Sequence, residues 1–313
     1  MAHSRQHGFD NVRCILIFLV VFGHFLEPSG TESRVYLLIY TFHMPVFVFL
    51  SGWFGRFSPQ KLTKQAGLYL LFQFLYRILE YLLNGKGFSV KLLTPCWLLW
   101  YLPFLMGCQL LLPLLDRHPR FPGLAVSLLI SLAAGCVRAI GYPLTLSRFL
   151  VFLPYYILGN RLRPKALLFK KAPLWVPAVL LGVAAGLSLV LTREGTTARM
   201  LYGASAYHPG YGPVLRGMLY LPGTAWSLFF LLTALRWSRR VPLLSAIGSN
   251  TLPVYLLHGF AVKLVRRFMP LPPYPRNLLP ALALAAASVL IFSLFRKNCG
   301  QVLKCRSGTS LRK

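Results

Sequence analysis

Long apolar runs recur along the whole chain, each bounded by proline, glycine or charged residues. Most approach the roughly 20 residues that an α-helix needs to cross a hydrocarbon core of about 30 Å. Ten runs are present, at residues 12–27, 36–55, 66–84, 96–115, 122–140, 147–161, 173–192, 214–235, 243–263 and 277–295. The first and sixth are short, and polar residues interrupt the ninth. The pattern predicts an all-α polytopic membrane protein with about ten transmembrane helices in one bundle.

No internal repeat and no stretch typical of a soluble domain interrupts these runs. We therefore predict a single transmembrane domain over residues 1–295, followed by a short basic tail at 296–313. The distribution of charge predicts the orientation. The segments on the side of the two termini, with the residues beside them, hold 21 of the 34 Lys and Arg residues, and the loops on the opposite side hold 12. Because basic residues favour the cytoplasmic side, both termini and the tail are predicted to be cytoplasmic.

Composition narrows the class of protein. The chain has 313 residues, of which 56% are hydrophobic and 13% charged, with a formal net charge of +28. A soluble domain carries about 25% charged residues, and a soluble nucleic-acid binder would spread its basic residues over its surface. We therefore predict a multi-pass protein of the plasma (inner) membrane, whose partner is the lipid bilayer and not nucleic acid.

Ionisable residues inside predicted spans are costly, so each is a candidate for function. The candidates that we select among them are Arg13, His24, His43, Arg77, Glu80 and His258. Arg13 and His24 are eleven residues apart, which places them on one face of a helix about 16 Å apart along its axis. The structural alternatives are an Arg13 paired with Asp10 and a histidine satisfied by a neighbouring helix.

Two further histidines are predicted at depths similar to that of His24. His43 lies beside Pro45, which removes one helical hydrogen bond and frees a carbonyl group near residue 41. His258 lies in the ninth run, whose polar residues 249–251 are more typical of a helix entry than of a ligand site. Ser51 and Gly52 indicate close helix packing.

Two other residues are candidates for binding a substrate. Glu80 is either an internal ion pair with Arg77, the favoured interpretation, or a partner of one of the histidines. Tyr211 lies in the predicted outer loop at 193–213, together with Tyr202, Tyr207 and His208. Aromatic rings of this kind stack on sugar faces, although a flexible connector is the simpler interpretation.

The motifs and their order are similar to those of the acyltransferase-3 family of integral-membrane O-acyltransferases. The resemblance rests on Asp10-x-x-Arg13 with His24, Phe42-His43-Met44-Pro45 to Ser51-Gly52, Trp100-Tyr101-Leu102, and Ile247-Gly248-x-Asn250-Thr251-Leu252 to Tyr255-Leu256-Leu257-His258. Within the family the chain looks closest to the branch of fucose 4-O-acetylases. The resemblance implies about ten spans and transfer of an acyl group, usually acetyl from cytoplasmic acetyl-CoA, to a carbohydrate hydroxyl outside the cytoplasm.

The resemblance also implies that Arg13 and His24 are needed for activity. We predict catalytic roles for His24, Arg13 and His43, a further role for Arg13 in binding the acyl donor, and substrate-binding roles for His258, Glu80 and Tyr211. His24 acts either as a general base or as a transient acetyl carrier. His43 or His258 orients His24 or stabilises the oxyanion. Acetyl-CoA is the predicted co-substrate, and no metal is predicted.

Two other classes of function compete with an enzyme. A transporter or flippase for a cell-envelope precursor also uses intramembrane histidines and broken helices, but such proteins often show two related halves, which this sequence lacks. A membrane-integral assembly partner without chemistry would scatter residues 13, 24, 43 and 258 onto unrelated faces.

Overall fold

The computed structural model describes residues 7–30, 33–85, 87–118, 122–193 and 195–307, which form helices joined by turns and loops, with no β-strand among them. The α-helices are α1 (His7–Gly30), α2 (Arg34–Trp53), α3 (Pro59–Asn84), α4 (Tyr101–Arg117), α5 (Gly123–Ala134), α6 (Leu146–Leu162), α7 (Ala166–Lys171), α8 (Trp175–Leu191), α9 (Ala198–Leu201), α10 (Pro213–Arg236), α11 (Pro242–Gly248), α12 (Thr251–Phe268) and α13 (Leu278–Ser307). Short 3₁₀ helices precede α4 and flank α6. The all-α prediction is confirmed.

Each predicted apolar run overlaps a helix. Within the described residues, five helical segments are long and apolar enough to cross a membrane, at 7–27, 34–53, 59–84, 97–117 and 213–236. Shorter apolar helices lie at 123–134, 175–191 and 278–294. The predicted total of ten spans and the orientation of the termini stay predictions.

The structure differs from the predicted elements at the ninth run and at the last one. The ninth run forms two helices, α11 and α12, which are separated at Ser249 and Asn250. Pro45 lies inside the continuous helix α2, in agreement with a predicted run that continues through it. The last helix extends to Ser307, beyond the predicted end of its span, and the rest of the predicted basic tail, at 308–313, lies outside the described residues.

The helices form two compact units. The first unit consists of Met1–Gly30 and Trp237–Lys313, and the second of Thr31–Arg236. In the first unit α1 packs against α11, α12 and α13. In the second, α2 packs against α6 and α10, while α10 also packs against α8, α5 against α6, and α3 against α4.

The start of α1 is fastened to α11 through backbone and amide contacts. Asn11 accepts a hydrogen bond from Ser245 Oγ at 2.9 Å and donates one to the Arg239 carbonyl oxygen at 3.1 Å. A Cβ atom at Gly248 would overlap the carbonyl oxygen of Asp10, so only glycine permits this approach. The Ile247-Gly248 motif therefore has a packing role that brings α11 against the segment carrying Asp10.

Gly52 lies at a close approach of α2 to α6. A Cβ atom there would overlap the carbonyl oxygen of Tyr156, which is backbone and cannot rotate away. The interpretation of Ser51-Gly52 as a packing surface agrees with this geometry. Ser51 itself shares a 2.7 Å hydrogen bond with the Tyr101 hydroxyl group, which adds a polar contact between α2 and α4.

We expect Gly52→Ala to destabilise the protein by about 1–3 kcal/mol, because the added methyl group forces α2 and α6 apart. Gly67→Ala is the matched control, since a Cβ atom at Gly67 meets no atom within 4 Å and the position is exposed on α3. Thermal unfolding of both variants in detergent measures the difference. Equal midpoints for the two variants would contradict the packing role of Gly52.

Candidate functional site

A histidine and a carboxylate form a pair near the end of α1. His24 Nδ1 lies 3.1 Å from Glu27 Oε2, one helical turn away. An ionised carboxylate can only accept a hydrogen bond, so the neutral imidazole carries its proton on Nδ1 and donates it to Glu27. This assignment makes Nε2 the nitrogen that can take a proton from a substrate hydroxyl.

His258 on α12 is the nearest ring to His24. The two ring centroids are 5.3 Å apart and the planes are inclined by 32°. The His258 side chain is completely buried, and its Nδ1 lies 2.9 Å from the Val254 carbonyl oxygen, to which it donates. Its Nε2 is buried and has no hydrogen-bond partner among the described residues. A buried acceptor nitrogen next to His24 is costly unless a substrate hydroxyl or His24 itself donates to it.

Arg13 lies on α1, three residues after Asp10. Its Nη1 is 3.8 Å from Asp10 Oδ1, so the predicted pair with Asp10 is present at long range. The Arg13 side chain is 30% exposed, whereas that of Asp10 is 8% exposed. Because the distance exceeds hydrogen-bond length, this contact is a long-range ion pair that involves a partly exposed guanidinium.

A largely apolar cavity of about 140 Å³ is lined by residues that are close in sequence to His24 and His258. Phe25 follows His24 directly, and Val262 lies one turn after His258 on α12. The remaining lining residues are Val265, Arg266, Pro270 and Leu271. The volume matches a ligand of about six carbon atoms, by comparison with engineered cavities that bind benzene.

His43 belongs to the second unit and is 2% exposed on α2. Its Nδ1 is 2.8 Å from the Ile39 carbonyl oxygen, the same arrangement that His258 has with Val254. The Tyr40 ring packs edge-on against it at 4.4 Å. His43 therefore presents Nε2 as its acceptor nitrogen, and its predicted catalytic role stays a prediction.

Glu80 is engaged at both carboxylate oxygens. Arg77 Nη1 donates to Oε2 at 2.9 Å, and Cys96 Sγ donates to Oε1 at 3.4 Å. The predicted ion pair between Arg77 and Glu80 is present. These contacts connect α3 to the segment before α4, a structural role that leaves the substrate-binding prediction for Glu80 untested.

Tyr211 is 2% exposed and contributes to an ordered loop instead of a loose connector. His208 and Tyr211 form an antiparallel bridge, and the Tyr211 hydroxyl accepts a 3.1 Å hydrogen bond from Arg216 Nε. The Tyr207 ring lies 5.6 Å from the Tyr211 ring, and its hydroxyl donates to the Leu132 carbonyl oxygen at 2.7 Å. Burial raises the pKa of the Tyr207 phenol, so this hydroxyl stays protonated as a donor at neutral pH.

The structure also identifies residues that the sequence alone does not single out. Arg148 and Arg216 lie at the edges of predicted spans, where they count as ordinary connecting charges, yet both side chains turn into the second unit. Glu27 is visible only as an i,i+3 neighbour of His24, and that spacing is the one signal for its contact.

Comparison with known proteins places the chain in a family. A family model described as an acyltransferase domain matches residues 6–296, nearly the whole chain. No curated protein and no solved structure shows a significant match.

Proposed function

The chain belongs to the acyltransferase-3 family of membrane acyltransferases, and from that premise we propose that it transfers an acetyl group from cytoplasmic acetyl-CoA to a hydroxyl group of an extracytoplasmic carbohydrate. Within the family we propose the branch of fucose 4-O-acetylases, on the motifs of α1, α2 and α12. The proposed location is the plasma (inner) membrane, which the protein crosses several times.

The contact of Glu27, His24 and His258 carries this proposal. Acyl transfer to an alcohol needs a base that takes the hydroxyl proton, and a histidine oriented by a carboxylate is a recurrent solution. In the first unit Glu27 fixes the Nδ1–H tautomer of His24, and His258 packs against the same ring.

In the proposed reaction, Nε2 of His24 takes the proton of the acceptor hydroxyl while the hydroxyl oxygen attacks the thioester carbonyl carbon. The tetrahedral intermediate then collapses as the carbon–sulfur bond breaks. The acetyl group remains on the acceptor as an ester, and the proton passes from His24 to the departing thiolate of CoA. Glu27 stabilises the imidazolium that exists between these two proton transfers.

His258 supports this step as a positioning residue. With its Nδ1–H donated to Val254, its Nε2 can only accept a hydrogen bond. In its neutral form His258 therefore does not donate to a developing oxyanion, and this supports orientation of His24 over oxyanion stabilisation as its proposed role. We propose that Nε2 of His258 accepts a hydrogen bond from the carbohydrate hydroxyl group or from protonated His24, and so keeps the reacting groups in position.

Arg13 is proposed to bind the acyl donor. Its guanidinium lies on the same helix as His24, eleven residues earlier, at an axial separation of about 16 Å. An extended pantetheine arm spans a separation of this size, so a phosphate group near Arg13 and a thioester near His24 are compatible. Lysine would keep the charge of Arg13 but lose the forked donor geometry.

A variant of the mechanism makes His24 a covalent acetyl carrier. In that case Nε2 attacks the thioester, CoA leaves, and the acetyl-imidazole later gives its acetyl group to the acceptor. Single-turnover trapping distinguishes the two. Acetylated His24 in the absence of acceptor indicates the carrier, and its absence under conditions of demonstrated turnover indicates the base.

We expect the full chain, reconstituted in vesicles with radiolabelled acetyl-CoA and envelope glycans, to transfer label to the glycan as an alkali-labile ester. Mass spectrometry of envelope glycans from cells with and without the protein identifies the acceptor. Protein-free vesicles are the control. Movement of the glycan across the vesicle membrane without any acetylation would contradict the proposal and favour a flippase.

A further inference from the structure

Arg216 is a buried cation in the second unit. Its side chain is 2% exposed, and three of its donors are hydrogen-bonded. Nε donates to the Tyr211 hydroxyl at 3.1 Å, Nη1 to the Ser131 carbonyl oxygen at 2.9 Å and Nη2 to the Ser205 carbonyl oxygen at 2.9 Å. The Tyr207 and Tyr211 rings lie 4.5 and 5.3 Å from the guanidinium carbon. Every one of these partners is neutral.

The charge of Arg216 is therefore not compensated within the described residues. Of the acidic residues described in the second unit, Glu80 is engaged by Arg77, and Asp116 is exposed near the end of α4. Burying a charge without a counter-charge is unfavourable even when its donors are hydrogen-bonded. Arg216 also lies in the first turn of α10, whose positive dipole end favours an anion over a cation. Both effects would be relieved by a bound anion.

A cavity lies beside Arg216, between α2, α6 and α10. Its lining combines the guanidinium with aromatic and small polar side chains, chiefly Tyr40, Thr41, Tyr155, Tyr211 and Tyr220. The cavity has a volume of about 40 Å³, which holds roughly three water molecules. That volume suits a carboxylate or phosphate group.

Arg148 adds a second cation near this cavity. It lies on α6 one turn before Phe152, which lines the cavity. Its Nε donates to the Tyr202 carbonyl oxygen at 3.2 Å, and its guanidinium carbon lies 4.9 Å from the Trp100 ring. Its Nη1 is buried and has no hydrogen-bond partner in the described part of the chain. Like Arg216, it has only neutral neighbours among its contacts.

We propose that the cavity beside Arg216 binds an oxyanion, the carboxylate or phosphate group of a substrate. Arg216 supplies the charge and two N–H donors beyond the three already used, and the surrounding phenols supply neutral hydrogen-bonding groups. Arg148 adds to the positive potential on the α6 side. The site adds to the proposed function the statement that the acceptor carbohydrate is acidic. Only that statement rests on the proposed function; the binding of an oxyanion does not.

Anion binding is tested apart from acyl transfer, by thermal unfolding of the detergent-solubilised full chain with inorganic phosphate, glucuronate or neutral glucose. We expect phosphate or glucuronate to raise the unfolding midpoint with increasing concentration and glucose to leave it unchanged. Arg216→Gln is expected to weaken the binding at least tenfold. Arg199→Gln is the matched control, because it removes the same charge from an exposed position on α9.

A second variant keeps the test decisive if Arg216→Gln does not fold. Leu219→Phe fills the cavity while leaving Arg216 in place, and we expect it also to abolish the protection by phosphate or glucuronate. Protection that is equal in the native protein, Arg216→Gln and Leu219→Phe, or absent in all of them, would overturn the site.

Thermal unfolding with CoA as a further ligand distinguishes the two sources of the oxyanion, the acceptor and the donor. Protection by CoA that survives Arg216→Gln, while glucuronate protection is lost, assigns the site to an acidic acceptor. Loss of both assigns it to a phosphate group of the donor, and each result supports an oxyanion site. Because these readouts do not require turnover, a failure of acyl transfer leaves the binding result interpretable.

Discussion

His24→Ala is expected to lower the rate of acetyl transfer by about 10²- to 10⁴-fold while the protein remains folded and inserted in the membrane. A positioned base contributes a factor of this size, and a covalent carrier would lose its nucleophile. Either role ends when the imidazole is removed. The rate of transfer in reconstituted vesicles measures the loss, and the thermal unfolding midpoint reports on folding.

The matched control for His24→Ala is His118→Ala. His118 is exposed at the end of α4, outside every contact proposed for the reaction. We expect it to retain native activity. Native activity in the His24→Ala variant would remove the proposed role of the histidine in acyl transfer, even if the protein proved to be an acyltransferase through other residues.

Glu27→Gln is expected to lower kcat by about 10- to 100-fold with little change in the KM for acetyl-CoA. The glutamine can still accept the Nδ1 hydrogen bond of His24, but it lacks the charge that stabilises the imidazolium during the reaction. We expect a moderate loss of kcat because solvent partly screens the pair: 14% of the His24 side chain and 23% of the Glu27 side chain are exposed.

Two comparisons separate this effect from a general loss of structure. Glu27→Asp keeps the charge at a shorter reach and is expected to recover part of the lost kcat. Asp116→Asn removes a carboxylate from an exposed position on α4 and is expected to leave kcat unchanged. A rise in KM without a fall in kcat in Glu27→Gln would place Glu27 in substrate binding and not in support of His24.

The fold was largely predictable because apolar runs of membrane-spanning length leave the backbone few alternatives to a helix. The break within the ninth run was less visible. Asn250 begins α12 without capping it by a side-chain hydrogen bond, and instead donates to the Ser293 carbonyl oxygen at 2.7 Å. Ser293 is 43 residues away from Asn250, so no local sequence pattern predicts this hydrogen bond.

In the candidate site, too, local features were predictable from the sequence and contacts between helices were not. The spacing of Arg13 and His24 predicts a common face of one helix, because helical geometry depends on sequence separation alone. The approach of His258 to His24 at 5.3 Å depends on how α12 packs against α1, which the order of motifs suggests but does not fix. The carboxylate of Glu27 has a choice of rotamers, and only the packed structure shows that it turns toward Nδ1.

The sequence by itself determined an apolar helical protein and the residue types available for acyl transfer, because hydropathy and helical periodicity are local properties of the chain. The tertiary structure decided which polar groups acquired partners. It brought His258 against His24, linked Glu80 to Cys96, and buried Arg216 among neutral groups beside a cavity. These outcomes depend on packing between distant segments, where a shift of a few ångströms separates a hydrogen bond from no contact at all.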